Sequence, residues 1–141
     1  MPETVSPIAP ARAYLQPQSL AEALKALSAP DVPVILAGGT DVFPAAVGKP
    51  MPAHILDLSR IATLRGIAQT ADGGFRIGAL TTWTDVAKAK LPPAFAALQQ
   101  AARQVGSIQI QNCGTVGGNL CNASPAADGV PPLLVLEAEV E

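Results

Sequence analysis

The spacing of apolar residues in the first part of the chain predicts alternating helices and strands. Ser19 is followed three positions later by Glu22, a reciprocal capping pattern that predicts the start of a helix. The leucines of residues 20–27 then fall on one helical face. Two short apolar runs, residues 32–36 and residues 54–58, predict buried strands.

The segment between these two strands predicts a short helix. Thr40 and Asp41 are good helix-capping residue types. Pro44 and Gly48 limit the helix to about one or two turns. The order helix, strand, short helix, strand favours a parallel sheet in an α/β lobe. We therefore predict an N-terminal lobe over residues 1–58, with a change of pattern near Ser59.

Beyond this boundary the pattern predicts a hairpin and two helices. The Asp72-Gly73 pair separates two short strand-like runs, which is a β-hairpin signal. The segment TTWTDVAKAK, residues 81–90, begins with threonines and predicts a capped helix. A further helix is predicted over residues 92–106, with proline in its first turn and glycine as its stop.

Two later segments are predicted to be strands. Residues 105–110 carry isoleucines at alternate positions and lead into a glycine-rich stretch. In residues 136–141 apolar side chains alternate with glutamates, which is typical of a half-buried antiparallel strand. This strand reaches the last residue without a partner, so we expect the chain to be the front part of a longer polypeptide. Residues 59–141 would then form the first part of a second lobe.

Composition narrows the possible partners. Charged residues make up only 14% of the 141 residues and the net charge is −2. No Lys/Arg run is present, which argues against nucleic acid as a partner. No apolar run approaches the roughly 18 residues that span a bilayer, and residues 1–15 lack the layout of a signal peptide. We expect a cytoplasmic protein with no membrane insertion. The low charge suggests that much of its surface is hidden, either by a partner or by the remainder of a longer polypeptide.

The few reactive side chains do not predict a catalytic or metal site. Cys113 and Cys121 are too few for a disulfide framework or for an iron–sulfur cluster. We predict that both are buried thiols without chemistry. His54 is the sole histidine and is expected to be structural, although a Cys–His nucleophile pair stays open as a minor alternative. We predict no metal ligand and no catalytic residue.

Two glycine corners, LAGGTD at residues 36–41 and GTVGGN at residues 114–119, predict an anion site. Bare glycine corners let main-chain N–H groups converge on one anion. The mononucleotide P-loop pattern and the G-x-G-x-x-G pattern are both absent. Two such corners, neither beside a cation, suit a diphosphate held by amides. The alternative is that each Gly-Gly pair is only a turn.

The segments ILAGGTDV, IGALTTW and GSIQIQNCGTVGGNLCNASPAADG together resemble a known family. They are similar to the FAD-binding (medium) subunit, or middle segment, of the molybdenum hydroxylases. That family includes xanthine dehydrogenase, aerobic carbon monoxide dehydrogenase and 4-hydroxybenzoyl-CoA reductase. The resemblance covers residues 14–141. It implies an α+β fold of two lobes: a small N-terminal α/β lobe, and a second lobe with an antiparallel sheet that is incomplete here, with FAD between them.

The resemblance also implies which residues contact the cofactor. The first pyrophosphate loop would consist of Ile35, Leu36, Ala37, Gly38, Gly39, Thr40, Asp41 and Val42. The second would consist of Thr115, Gly117, Gly118 and Asn119. Asp128 matches an acid near the sugar-alcohol chain of FAD, and Val105 occupies another contact position.

The activity implied by the resemblance is electron transfer by an oxidoreductase flavoprotein subunit. Electrons would come from a molybdopterin-containing large subunit through a [2Fe–2S] small subunit, and would leave to an external acceptor such as NAD, oxygen or a quinone. The remaining C-terminal part of the flavoprotein would be a further partner. Two alternatives stay open: a non-catalytic fragment or interaction domain that does not retain FAD by itself, and a module that binds another diphosphate.

Overall fold

The computed structural model describes residues 13–141 as two small sheets with seven helices packed around them. The predicted absence of a leader concerns residues that lie largely outside this range. The mixture of helices with a parallel and an antiparallel sheet agrees with the α+β class expected from the sequence.

The first sheet has three parallel strands: β1 (Ala13–Leu15), β2 (Val34–Leu36) and β3 (His54–Asp57). Their spatial order is β1-β3-β2, so β3 is central and all three of its residues from Ile55 to Asp57 are buried. This confirms the predicted parallel sheet. The strand β1 was not predicted, because three residues are too few to show a period of two.

Helix α1 (Leu20–Leu27) packs against this sheet. Its start is confirmed: the Ser19 hydroxyl accepts a hydrogen bond from the Glu22 N–H at 3.2 Å. The Glu22 carboxylate, however, accepts from the N–H of Gln18 at 2.8 Å and not from that of Ser19. The predicted leucine face is also only partly correct, because Leu20 is exposed and the buried contact with Leu56 is made through Ala23.

The next elements lead from the parallel sheet to a two-stranded hairpin. The one-turn helix α2 (Val42–Ala45) precedes β3, and a short 3-10 turn (Ala62–Leu64) follows it. The predicted hairpin consists of β4 (Ile67–Gln69) and β5 (Phe75–Ile77), which pair antiparallel. Gly73 has a φ of +90° at its turn, a conformation that favours glycine.

Two predicted helices follow the hairpin. Helix α3 (Trp83–Lys88) begins with a full capping box between Thr82 and Asp85. A 3-10 turn (Pro93–Phe95) leads into α4 (Ala96–Gln104), as the proline and glycine signals predicted. The hydrophobic core joins α3 and α4 to later helices, and its buried members are Trp83, Val86, Leu98, Ala102, Val105, Val116 and Leu133.

The strand predicted over residues 105–110 is wrong. Residues Ile108–Cys113 form helix α5, which Ser107 caps by accepting a hydrogen bond from the Ile110 N–H at 3.4 Å. Gly106, with a φ of +50°, turns the chain between α4 and this helix. The alternation of isoleucines misled the prediction because both side chains are exposed and neither marks a buried face.

The last predicted strand, over residues 136–141, is also wrong. Helices α6 (Val116–Asn122) and α7 (Val130–Val135) precede it, and prolines in the first turn of α7 favour a helix start. Glu137 then has a φ of +53°, which a strand does not allow. Residues 138–141 form no strand, and Val140 is 88% exposed.

The described residues pack into two hydrophobic clusters. The first contains Ala23, Leu56 and Ile61, with Leu64 packed against it, and the second lies among the later helices. Because Ile61 and Leu64 follow Ser59, the division into residues 1–58 and 59–141 stays a prediction. None of the helices between residues 13 and 141 has the length and apolarity needed to cross a bilayer.

Candidate functional site

The first glycine corner, residues 37–42, is a loop with unused main-chain donors. It leaves the carboxyl end of β2 and leads into α2. Within residues 13–141, no acceptor is found for the N–H group of any of its six residues. The exit from β2 is held by a hydrogen bond of 2.9 Å from the Leu58 N–H to the Leu36 carbonyl. The carboxyl end of a parallel strand is where α/β folds commonly bind ligands.

Gly39 gives this loop its shape. Its φ is +72°, in the left-handed region that glycine adopts without strain. A Cβ at Gly39 would also lie 2.6 Å from Cδ2 of the Phe43 ring, so the aromatic side chain occupies the space that the missing side chain leaves. The glycine is therefore required by both conformation and packing.

The second glycine corner differs from the prediction. It does not follow a strand, because it forms the first turns of α6, for which Thr115 is the N-cap. The N–H groups of Val116 and Gly117 donate to the carbonyls of Thr81 and Ala79, each at 2.9 Å. The Gly118 N–H donates to the Thr115 hydroxyl at 3.0 Å. These three amides are thus satisfied internally, and the prediction that Gly117 and Gly118 offer free donors is wrong.

The glycines of this corner instead allow close packing. A Cβ at Gly117 would lie 2.8 Å from both Cβ and O of Ala79, which places α6 directly against the segment after β5. Thr115 is buried, its hydroxyl oxygen is the helix cap, and it forms an isolated bridge with Thr82. Its observed role is therefore to begin the helix.

The two corners meet in space. A Cβ at Gly38 would overlap the carbonyl oxygen of Cys113 and lie 3.1 Å from Cα of Gly114. A Cβ at Gly118 would lie 3.9 Å from Cβ of Ala37. The loop and the start of α6 therefore face one another at van der Waals distance, as expected if both border one ligand.

Polar side chains join or line this junction. The Asn122 Nδ2 donates to Oδ1 of Asp41 at 3.1 Å, which links α6 to the loop of residues 37–42. A Cβ at Gly114 would lie 3.5 Å from the Thr40 hydroxyl. The side-chain oxygen of Asn119 is buried without a hydrogen-bond partner among the described residues. An unsatisfied buried oxygen is costly, so it indicates a polar group that the protein alone does not supply.

The remaining predicted contacts are more scattered. Asp128 is exposed in the turn before α7, and its neighbour Gly129 lies against Asn119: a Cβ there would be 2.9 Å from the Asn119 Oδ1. Leu36 is buried beneath the loop, and Ile35 points away from it with 50% exposure. Val42 is half-buried in α2. Val105 belongs to the second hydrophobic cluster.

The cysteines are not where the sequence predicted them. Cys113 and Cys121 are both exposed, so the prediction of two buried thiols is wrong. Cys113 ends α5, a helix with no buried residue, and Cys121 lies in α6, whose buried residue is Val116. Over residues 13–141, no group of three His, Cys, Asp or Glu side chains lies close enough to hold a metal ion.

A buried carboxylate that the sequence analysis did not identify, that of Asp57, lies beside Leu36, where the loop begins. Asp57 accepts hydrogen bonds from Tyr14 Oη and Gln16 Nε2, each at 2.6 Å, and from the Ser59 N–H at 2.8 Å. Burial raises the pKa of its carboxyl, but the donors outweigh burial and hold the pKa below its ordinary value. An acid inside an otherwise apolar strand, HILDL, was the signal that could have revealed it.

Comparison with known proteins shows which family the chain is similar to. Residues 8–141 match the family described as the FAD binding domain in molybdopterin dehydrogenase. The chain is 36% identical over 130 residues to the xanthine dehydrogenase FAD-binding subunit of Escherichia coli O157:H7, covering 91% of this chain and 44% of that protein. It is 36% identical over 137 residues to the glyceraldehyde dehydrogenase medium chain of Sulfolobus acidocaldarius, covering 93% of this chain and 47% of that protein.

Solved structures agree. The fold matches carbon monoxide dehydrogenase from Hydrogenophaga pseudoflava with a TM-score of 0.69 and 31% identity, over 84% of this chain and 42% of that chain. It matches reconstituted CO dehydrogenase from Oligotropha carboxidovorans with a TM-score of 0.72 and 29% identity, over 86% and 43% of the two chains. The chain thus spans a little under half the length of these relatives. It belongs to the family of FAD-binding domains of molybdopterin dehydrogenases.

Proposed function

We propose that this chain holds the diphosphate of FAD on the main-chain amides of residues 37–42. The observation that carries the proposal is the row of N–H donors without protein acceptors on a loop that faces the start of α6. Amides gathered at a glycine corner bind phosphate oxygens without a countercharge. The two ion pairs of the described residues, Arg65–Asp85 and Arg76–Glu141, lie on other elements, which fits an anion held by dipoles.

Side chains around the loop would complete the site. The Thr40 hydroxyl and the Asn119 side-chain amide are available to hydrogen-bond the cofactor, and the buried Asn119 oxygen gains a donor if a cofactor hydroxyl lies nearby. Asp41 keeps one carboxylate oxygen free beside its bond to Asn122. Asp128 is exposed and suits the hydroxyls of the ribityl chain. These residues bind and orient the cofactor, and none is assigned a role as catalytic acid, base or nucleophile.

In the complete protein the chain would act as the electron-transfer component of an oxidoreductase complex in the cytoplasm. Bound flavin supplies the redox chemistry, and the protein supplies its position and electrostatics. We propose as partners a molybdopterin-containing large subunit and a [2Fe–2S] small subunit, from which electrons pass to an external acceptor. The support is family membership and the relatives' own descriptions as FAD-binding subunits and medium chains.

One observation favours a second candidate function, that of a domain which keeps the fold but does not retain FAD by itself. The amides of residues 116–118 are satisfied by protein acceptors, so only one of the two predicted diphosphate loops has donors to offer. A site with half of its expected donors binds more weakly.

Titration of the purified full chain with FAD separates these candidates. Quenching of flavin fluorescence and a shifted visible band on binding support the proposal, whereas an unchanged free-flavin spectrum at millimolar FAD supports the second candidate. ADP and riboflavin are the matched competitors. Since the proposed contacts are to the diphosphate, ADP should compete and riboflavin should not; tight ADP binding with no preference for FAD would indicate a module for another diphosphate.

A further inference from the structure

Asp57 lies directly beneath the start of the proposed cofactor loop. It is the last residue of β3 and pairs in register with Leu36, the residue before residues 37–42. The next residue, Leu58, donates its N–H to the Leu36 carbonyl at 2.9 Å. The turn after Asp57 therefore sets the point and direction at which the loop leaves the sheet.

The Asp57 carboxylate connects this turn to the neighbouring strand. Two of its three hydrogen bonds come from Tyr14 and Gln16, in and just after β1, and the third comes from the main chain of Ser59. One carboxylate thus fastens the ends of β1 and β3 together and closes the turn that holds β2.

The donors to this carboxylate are all neutral. Asp57 is only 5% exposed, yet among residues 13–141 no Lys, Arg or His forms an ion pair with it. A buried charge without hydrogen bonds is strongly unfavourable, so the position of Asp57 depends on these donors. Tyr14 reaches it from the surface, since its side chain is 55% exposed. A substitution of Tyr14 can therefore remove its hydrogen bond to Asp57 without altering the first hydrophobic cluster.

We propose that Asp57 is a positioning residue for the cofactor loop, acting through the turn at Ser59 and the hydrogen bond from Leu58 to Leu36, while Tyr14 and Gln16 hold its carboxylate in place. By fixing the carboxyl end of β3 beside Leu36, it keeps the loop of residues 37–42 in its observed conformation, and its loss makes that loop more mobile. This inference rests on the proposed FAD site. A merely structural role would lower the stability of the chain without changing the loop in the folded protein.

The test compares Tyr14→Phe and Asp57→Asn with the wild-type full chain. Tyr14→Phe removes one donor and keeps the ring, and Asp57→Asn places an amide where Gln16 also donates. Each is expected to weaken FAD binding by about fivefold to tenfold, the effect of losing one hydrogen bond. The double variant should bind no more than about twofold more weakly than the poorer single variant, because both act through one network.

Asp72→Asn is the matched control. Asp72 is a carboxylate in a comparable network, with Thr70 and the Gly74 N–H as donors, but it lies in the β4–β5 turn. Its FAD affinity should equal that of the wild type. Unfolding is followed by the fluorescence of Trp83, the only tryptophan, which is buried in the second cluster. FAD affinities are compared under conditions in which this signal shows every variant to be folded.

A second measurement does not require FAD. The ¹⁵N relaxation order parameters of residues 37–42 should fall in Tyr14→Phe and Asp57→Asn and stay unchanged in Asp72→Asn. Unchanged order parameters in the first two variants overturn the inference, whether or not the chain binds FAD. Failure of the wild type to bind FAD overturns the proposed function instead, and wild-type binding with equal affinity in Tyr14→Phe and Asp57→Asn overturns the positioning role alone.

Discussion

Asn122, on helix α6, donates a hydrogen bond of 3.1 Å to the carboxylate of Asp41, at the start of helix α2. The two residues are 81 positions apart along the chain. Beside them Gly38 packs against the main chain of Cys113, so that the junction consists of backbone contact on one side and an amide–carboxylate pair on the other. Residues of the proposed cofactor loop make both contacts, so substitutions at this junction test the site directly.

Gly38→Ala is expected to open this junction. The added Cβ would overlap the Cys113 carbonyl, a main-chain atom that cannot rotate away. The loop must therefore move away from the end of α5. We expect a loss of about 1–3 kcal/mol in the free energy of unfolding, typical of overpacking, together with a loss of FAD binding. Denaturant unfolding and flavin titration measure the two effects. Asn122→Ala, which removes only the exposed hydrogen bond, should cost no more than about 1 kcal/mol; equal effects of the two substitutions would contradict the importance of the backbone contact.

Gly39→Ala and Gly48→Ala form a matched pair. Their φ values are +72° and +73°, so alanine is strained to the same degree at both positions. A Cβ at Gly39 meets the Phe43 ring within the proposed loop, whereas nothing lies within 4 Å of one at Gly48. Gly48→Ala should lose about 1 kcal/mol of stability from backbone strain alone, and Gly39→Ala should lose more because its Cβ must also displace the Phe43 ring. Only Gly39→Ala should lose FAD affinity, by about tenfold or more. Equal affinities, measured by flavin fluorescence, would show that the loop does not contact the cofactor.

The titration of Asp57 provides a test by pH. Its pKa lies below that of an aspartate in the unfolded chain, so the ionised form stabilises the fold. This stabilisation is fully present above about pH 4 and is lost as the pH falls further. In Tyr14→Phe the pKa of Asp57 should rise, because burial stays and the largest opposing hydrogen bond is gone. NMR titration of the Asp57 carboxyl carbon measures this shift, and an unchanged pKa would exclude the Tyr14 bond in solution.

The exposure of both cysteines predicts rapid labelling. Because Cys113 and Cys121 are exposed, the native chain should react with a thiol reagent at two sites, at rates within about tenfold of those in denaturant. The variants Cys113→Ser and Cys121→Ser each leave one reactive thiol and assign the rates. Protection of either thiol by several orders of magnitude in the native chain would contradict the orientation of α5 or α6.

Local signals predicted much of the fold. The helix starts at Ser19 and Thr82 were correctly predicted because capping is a contact between residues three positions apart. The hairpin at Asp72-Gly73 was predicted for the same reason, since its turn depends on the conformation of Gly73. Where the prediction rested on alternation of apolar residues alone, in residues 105–110 and 136–141, it failed, and in the first of these it passed over Ser107, the cap of α5.

The candidate site was only partly predictable. The glycine corners identified the loop of residues 37–42, and the family resemblance named its ligand. The sequence could not show that the amide of Gly117 is already bonded, because its partner Ala79 becomes an acceptor only when α6 packs after the hairpin. The bond from Gly118 to Thr115 is a local helix cap, and it was missed because this stretch was interpreted as a corner after a strand. Asp57 was missed because an acid within an apolar run gives no indication of its donors.

The sequence by itself determined where the helices α1, α3 and α4 begin, where the hairpin turns and which stretches carry glycine corners, since each depends on the conformational preferences of neighbouring residues. Only the tertiary structure decided the order β1-β3-β2, the meeting of Gly38 with Cys113, and which of the corner amides keep a free donor. Burial and hydrogen-bond satisfaction join residues that are distant along the chain, so they are settled only once the lobes have packed.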